Sequence, residues 1–88
     1  MGTIVEFENE RVKVLRIKHG PRERHPQTSR KDRLVIYLTD GHVRRTESGK
    51  DEELTRKAGE VVWRDRSEHH VENLKDAHQE VIVVELKK

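Results

Sequence analysis

The chain has 88 residues, enough for one domain and close to the smallest size at which a hydrophobic core is stable alone. Charged residues make up 41% and apolar residues 31%, but the net charge is only +2 and the apolar residues occur in blocks, so a disordered chain is not expected. There is no cysteine, which excludes disulfides, thiolate metal ligands and a cysteine nucleophile. The 19 basic residues face 17 acidic ones along most of the chain, a balance that disfavours a dedicated nucleic-acid binder.

No part of the sequence has the pattern of a membrane segment. Residues 1–10 contain no long apolar run, and nothing approaches the ~20 apolar residues of a membrane span. We therefore expect a cytoplasmic protein with no membrane partner, built as a single domain over residues 1–88. A core this thin gains stability by burying area against a second copy, so we also expect a homodimer.

Apolar residues recur mainly at a spacing of two, and many are β-branched, which predicts strands. Within residues 11–18, Val12 and Val14 share one face and Leu15 and Ile17 share the other, which predicts a bulge or a bend in that segment. Residues 34–38 form a strand that is apolar on both faces, and the turn at residues 40–41 favours an antiparallel hairpin with residues 42–47. Further strands are predicted at residues 53–57, 61–64, 69–73 and 80–86, with turns at residues 48–51 and 58–60.

Six to eight short strands without a helical period predict an all-β sandwich or barrel. Alternation in the strand at residues 34–38 separates two sets of side chains, one facing the interior and the other a partner or a second sheet. The sequence leaves open whether Val35 and Tyr37, with Val83, or the alternate set around Ile36 faces inward. Ile36 is expected to be buried in both cases. The long irregular segment at residues 19–33 is of a kind that is often functional.

Two stretches resemble the sequence motifs of cupins. Residues 34–41, LVIYLTDG, are similar to the strand and turn that close the first cupin motif. Residues 58–73, AGEVVWRDRSEHHVEN, are similar to the second motif, with a glycine turn, a strand, a short loop, and a histidine followed four residues later by an asparagine. In order and spacing, residues 11–86 resemble the very small single-domain bacterial cupins. The resemblance implies a small antiparallel cupin-type barrel (a double-stranded β-helix or jelly roll), often dimeric, with its site inside.

The resemblance also implies a metal site. Cupins commonly hold a divalent metal through two histidines and a glutamate of the first motif and one histidine of the second, a donor set suited to Fe, Mn, Ni or Zn. His69 takes the second-motif position because Asn73 lies four residues after it, and His70 is the alternative. A longer loop would offer His25 and Gln27 as further ligands.

The first motif departs from the family pattern. Counting back from its closing glycine places the family's glutamate on Leu34 and its histidines on Thr28 and Arg30, or on Gln27 and Ser29 with the longer spacing. None of these positions holds the family's residue. The resemblance with these departures therefore implies a divalent metal that is only weakly bound.

Residues 19–33 carry the densest cluster of positive charge, with Glu23 and Asp32 as the acidic residues inside the segment. Arginine suits bidentate binding of a carboxylate or phosphate. The candidate ligand-binding residues are Arg22, Arg24 and Arg30, together with Tyr37. The alternative is a solvated loop whose charges keep a small protein soluble.

Two functions from different classes follow. One is a cupin that binds a divalent metal, a small organic ligand, or both inside the barrel; its enzymatic form would be a metal-dependent dioxygenase or isomerase acting on a small organic acid. The other is a metal-free binding or structural module that accepts an anion at residues 19–33. Nucleic-acid binding is less favoured because the aromatic residues that stack on bases are missing. Whether the protein catalyses a reaction stays open at this stage.

Overall fold

The computed structural model describes residues 2–24 and 28–87, and gives the backbone alone at residues 28–30 and 67. The described part forms nine strands, of the all-β kind that the sequence predicts. They are β1 (Gly2–Glu8), β2 (Val12–His19), β3 (Thr28–Arg30), β4 (Arg33–Tyr37), β5 (Gly41–Glu47), β6 (Lys50–Arg56), β7 (Val61–Arg64), β8 (Ser67–Asn73) and β9 (Gln79–Leu86). Within these residues there is no helix of the length and apolarity that crossing a bilayer requires.

The strands form two sheets. The five-stranded sheet has the order β1-β2-β9-β4-β7, and the four-stranded sheet has the order β3-β8-β5-β6. All of the pairings are antiparallel. The inner faces of the two sheets enclose the core, so the chain forms the small antiparallel barrel that the sequence analysis predicts.

The predicted hairpin between residues 34–38 and 42–47 is wrong. β4 pairs with β7 and β9, whereas β5 pairs with β6 and β8 in the other sheet. The chain crosses between the sheets at Gly41, which is buried, and a Cβ at that position would lie 2.9 Å from Oε1 of Gln79. The glycine is needed for this close approach rather than for a tight hairpin turn.

The predicted irregularity in residues 11–18 lies on the neighbouring strand instead. β2 pairs with β9 in unbroken register from Val12 to His19. The register shift falls in β1, between Val5 and Phe7. β1 and the three-residue β3 are the two strands that the sequence analysis did not predict. β1 is exposed along its whole length, so no buried face gives it a hydrophobic pattern.

The core lies on the inner face of the five-stranded sheet. Leu15, Ile17 and Val83 are buried, with Val35 and Val81 packed against them. Alternation divides the side chains of β4 into two sets, and the set that contains Val35 faces inward. Ile36 lies on the outer face and is only partly buried, which corrects the expectation that it would be buried in either register.

A network of buried amides closes one end of the barrel. Asn73 is completely buried, and its Nδ2 donates to the carbonyls of Gly20 (2.8 Å) and Ala77 (2.9 Å). Its Oδ1 accepts from the backbone N–H of Lys75 (2.9 Å) and from Nε2 of Gln79. Gln79 continues the network to β5, where its Oε1 accepts from the N–H of His42 (2.9 Å). The asparagine of the second motif is thus a structural residue that joins three segments.

Candidate functional site

A cavity of about 120 Å³, open to solvent on one side, lies between the two sheets. Half of the residues that line it are aliphatic, and both sheets contribute them. These residues are Ile17, Val35, Val43, Leu54, Val71, Val81 and Val83. The interior is therefore able to exclude water around a small ligand.

The rest of the lining is polar and strongly basic. It consists of His19, Arg33, Tyr37, Arg45, Arg64, His69 and Gln79. No aspartate or glutamate of the described residues lines the cavity. Three guanidinium groups in the described lining outnumber the acidic group that pairs with one of them, Glu47 with Arg45, which favours anions over cations.

Strand alternation directs the arginines inward. Arg33 lies two residues before Val35 on β4, and Arg45 lies two residues after Val43 on β5, so each shares the inner face with a core valine. Arg64 is the Cα partner of Arg33 across the β4–β7 pair and lies on the same face. The fold thus brings together three cations that are far apart in the sequence.

Two of the three arginines are held by other protein groups. Arg33 is 4% exposed, and its Nη1 donates to the carbonyls of Lys31 (3.1 Å) and Asp65 (3.2 Å). Arg45 forms an ion pair with Glu47 at 2.6 Å. These contacts fix the positions of both guanidinium groups.

Arg64 differs from the other two. Among the described residues, no side chain or carbonyl forms an ion pair or a hydrogen bond with its guanidinium. Burial, followed by the nearby charge of Arg45, lowers the pKa of Arg64, and Tyr37 and Glu52 act in the opposite direction. The group still carries its proton at neutral pH, because an arginine side chain is charged throughout the range in which proteins fold. Arg64 is a partly desolvated cation that faces the cavity.

The described residues do not fit a divalent metal. No three histidine, aspartate or glutamate side chains among residues 2–24 and 28–87 lie where they could hold one. His69 lines the cavity together with His19, but three guanidinium groups line it as well, and their charge opposes a dication. The two other ligands implied by the cupin resemblance, His25 and Gln27, lie outside the described residues.

Two residues named by the sequence analysis line the cavity, His69 and Tyr37. The backbone of β3 pairs Thr28 with His69 and Arg30 with Ser67, so β3 runs beside the second-motif histidine. The side chain of Arg30 lies outside the described part. The position assigned to the family glutamate, Leu34, is on the outer face, and the adjacent inward position holds Arg33.

Arg22 and Arg24 lie outside the cavity. Nε of Arg22 is 2.8 Å from Oδ1 of Asp76, and the interaction lowers the pKa of that carboxyl group. Nη2 of Arg24 is 3.5 Å from Oε1 of Glu72. With His70, Arg24 lines a second depression on the outer face of the four-stranded sheet. His70 thus faces away from the cavity that its neighbour His69 lines.

The sequence analysis did not single out Arg33, Arg45, Arg64 or His19 as site residues. A signal for the arginines was present in the strand pattern. Each lies in phase with apolar residues of a strand, where a charged side chain faces the interior and needs a reason to be there.

Two antiparallel sheets that close around an interior cavity define a jelly-roll barrel. No protein-family model matches the sequence, and no curated protein is similar to it. Solved structures are similar. A cupin domain from Bordetella pertussis Tohama I superposes with a TM-score of 0.92 at 24% identity, covering 98% of this chain and 92% of that one. A cupin superfamily protein from Desulfitobacterium hafniense gives a TM-score of 0.73 at 14% identity, covering 98% of this chain and 76% of that one.

The likeness extends beyond bacteria. The cupin domain of Schizosaccharomyces pombe Cnp3 superposes with a TM-score of 0.77 at 12% identity, covering 98% of this chain and 64% of that one. The chain is therefore a small protein of the cupin fold, as the resemblance in its two motifs implied. At these identities the likeness concerns the fold, and the fold hosts unrelated functions, so the function has to be argued from the cavity.

Proposed function

We propose that the protein binds a small organic anion inside the barrel and that Arg64 is the main anchor of that anion. The observation that supports this most is the unpartnered, partly desolvated guanidinium of Arg64 in a cavity whose described lining contains no carboxylate. An anion in contact with Arg64 would replace the water that burial removes and would offset the repulsion from Arg45. Arg33 and Arg45 lie nearby in fixed positions, and the ion pair with Glu47 offsets much of the charge of Arg45.

The proposed anion site lies in the barrel interior, whereas the sequence analysis expected it at the loop of residues 19–33. Arg22 and Arg24 already have acidic partners, Asp76 and Glu72, and are exposed to solvent. Exposed cations bind anions weakly because water competes and salt screens the charge. The interior site is partly desolvated, so the same charge attracts an anion more strongly there.

The test is a titration of the isotopically labelled protein with small carboxylates such as acetate, propanoate and succinate, followed by methyl NMR. We expect shifts concentrated at cavity valines such as Val35 and Val43. Arg64→Gln should weaken binding by about tenfold or more, because a hydrogen bond to a charged group contributes ~1.5–3 kcal/mol. Arg44→Gln is the matched control, since it removes the same charge from the outer face of the four-stranded sheet and should leave binding unchanged.

A competing function, metal binding at His69, has a distinct outcome in the same experiment. If the anion needed a metal, exhaustive treatment with a chelator would abolish the shifts and Zn²⁺ or Ni²⁺ would restore them. Carboxylate binding that is insensitive to chelator and to added metal supports the anion proposal. Shifts that are confined to outer residues, or that are equal in wild type and Arg64→Gln, would count against it.

We infer further that the protein is a homodimer that buries the outer face of the five-stranded sheet. Ile4 (50%), Phe7 (54%), Val61 (55%) and Trp63 (47%) are exposed there, on the two edge strands β1 and β7. Apolar groups this large and this exposed favour an interface. A two-fold axis near the centre of the sheet would lay the β1 residues of one copy against the β7 residues of the other, which gives both edges an apolar partner.

The dimer is tested by sedimentation equilibrium at micromolar concentration. We expect a mass of twice the 10.4 kDa of one chain. Trp63→Glu should shift the mass to that of one chain, because it places a carboxylate in the apolar contact. Thr55→Glu introduces the same group on the outer face of the other sheet and should leave the dimer intact. If the wild-type protein sediments as a monomer, the dimer is ruled out, but the proposal of an anion site inside the barrel still stands.

A further inference from the structure

Among the residues that the structure describes, one guanidinium of the cavity is available to a ligand. Arg45 is paired with Glu47, and Arg33 donates to two backbone carbonyls. Arg64 has no such partner among the residues that the structure describes. A ligand with two negative charges would need a second available cation, or would have to separate the Arg45–Glu47 pair. The charge arrangement therefore favours a ligand with one negative charge.

The wall around these cations is aliphatic in both sheets. Ile17 and Val81 are Cα partners in the five-stranded sheet, and Val43 and Leu54 are Cα partners in the four-stranded sheet. Both pairs line the cavity, one from each sheet. A strongly hydrated ligand would have to give up its bound water beside this aliphatic wall, which offers no hydrogen bonds in return, so its binding is disfavoured. Transfer of a hydrocarbon group from water to the same wall is favourable.

The volume limits the size of the ligand. The cavity of about 120 Å³ is well below the ~300–1,000 Å³ of sites for drug-sized molecules. It can enclose a molecule of a few non-hydrogen atoms and is too small to enclose a nucleotide or an oligosaccharide.

From these three features we propose that the ligand is a small monoanion with an aliphatic body, of the class of short branched-chain carboxylates. The proposal rests on the interior anion site proposed above and narrows its ligand to one chemical class. The carboxylate contacts Arg64, and the branched hydrocarbon lies against Leu54 and the valines of both sheets. Such binding is selective because the carboxylate needs the guanidinium of Arg64 and the hydrocarbon needs the aliphatic wall.

The test compares four probes of related size with the wild-type protein by calorimetry. They are 3-methylbutanoate, its uncharged analogue 3-methylbutanamide, succinate and inorganic phosphate. We expect 3-methylbutanoate to bind at least about tenfold more tightly than each of the others. The amide lacks the charge that pairs with Arg64, and succinate and phosphate lack the aliphatic body.

A variant of the aliphatic wall gives an independent measurement. Leu54→Asn keeps the size of the side chain and makes it polar, and it should weaken binding of 3-methylbutanoate severalfold while changing the affinity for acetate little. Leu38→Asn makes the same change at an exposed position outside the cavity and should have no effect. Melting curves of both variants confirm that they are folded before their affinities are compared.

The outcomes separate this inference from the function on which it rests. Tighter binding of succinate or phosphate than of 3-methylbutanoate would overturn the aliphatic monoanion and leave an interior anion site in place. Equal binding of the amide and the carboxylate would overturn both, because charge would then contribute nothing. A failure of all the anions to bind would overturn both as well.

Discussion

Asn73→Ala is expected to remove a large part of the free energy of unfolding of the protein. The side chain is fully buried and satisfies the carbonyls of Gly20 and Ala77, the N–H of Lys75 and the amide of Gln79. Each buried polar group left unsatisfied costs ~1–3 kcal/mol, and several lose their partner at once, so we expect a loss of roughly 3–4 kcal/mol. A domain of this length has a total stability of about 4–13 kcal/mol. The measurement is urea denaturation followed by circular dichroism.

The control for Asn73 is Asn9→Ala. The Oδ1 of Asn9 also accepts two backbone N–H groups, from Arg11 at 2.8 Å and Val12 at 2.9 Å, but the residue is exposed and water can replace it. Its loss should cost about 1 kcal/mol or less. If the two variants were equally stable, Asn73 would not hold the barrel end together.

Ile17→Ala is expected to lower the free energy of unfolding by about 2–4 kcal/mol, the range for truncation of a buried isoleucine. Ile17 is 6% exposed and packs with Leu15 and Val83 in the core cluster. It also lines the cavity, so the alanine variant enlarges a space that is already open to solvent and water can enter the widened part. The loss of free energy of unfolding should therefore be smaller than the largest losses seen when an isoleucine is truncated in a core closed to solvent.

The matched variant is Ile36→Ala, which makes the same truncation on the outer face of the same sheet. In a monomer, truncation of the partly buried Ile36 should lower the free energy of unfolding by about 1 kcal/mol or less, because the site stays in contact with solvent. A cost that rises with protein concentration would show that a second copy covers Ile36. A cost for Ile17 that falls below that for Ile36 at every concentration would contradict the inward register of the sheet.

Seven of the nine described strands could be predicted because period-two alternation and turn residues are local signals. Pairing could not be predicted, since it depends on residues far apart in sequence. The Asp40–Gly41 pair favours a hairpin locally. β4 is apolar on both faces, however, and is more stable as an inner strand between β7 and β9. β1 has no buried face and β3 has three residues, so neither carries a pattern.

The candidate site could be predicted only in part. His69 was found because it lies at a fixed spacing from Asn73 in a motif. The three cavity arginines lie on β4, β5 and β7 with no common spacing, so only the three-dimensional arrangement brings them together. Charge density along the sequence identified the loop cluster instead. It did not show that Asp76 and Glu72, more than 45 residues away, would pair with Arg22 and Arg24.

The central position of β9 has a consequence for synthesis of the protein. β9 lies between β2 and β4 and pairs with both over most of its length, although it is the last strand along the chain. Until residues 79–86 have left the ribosome, β2 and β4 have no strand between them, and the hydrophobic residues that they bring to the core stay exposed. A chain interrupted before residue 79 therefore lacks the strand that joins β2 to β4, and we expect it not to fold into a smaller barrel.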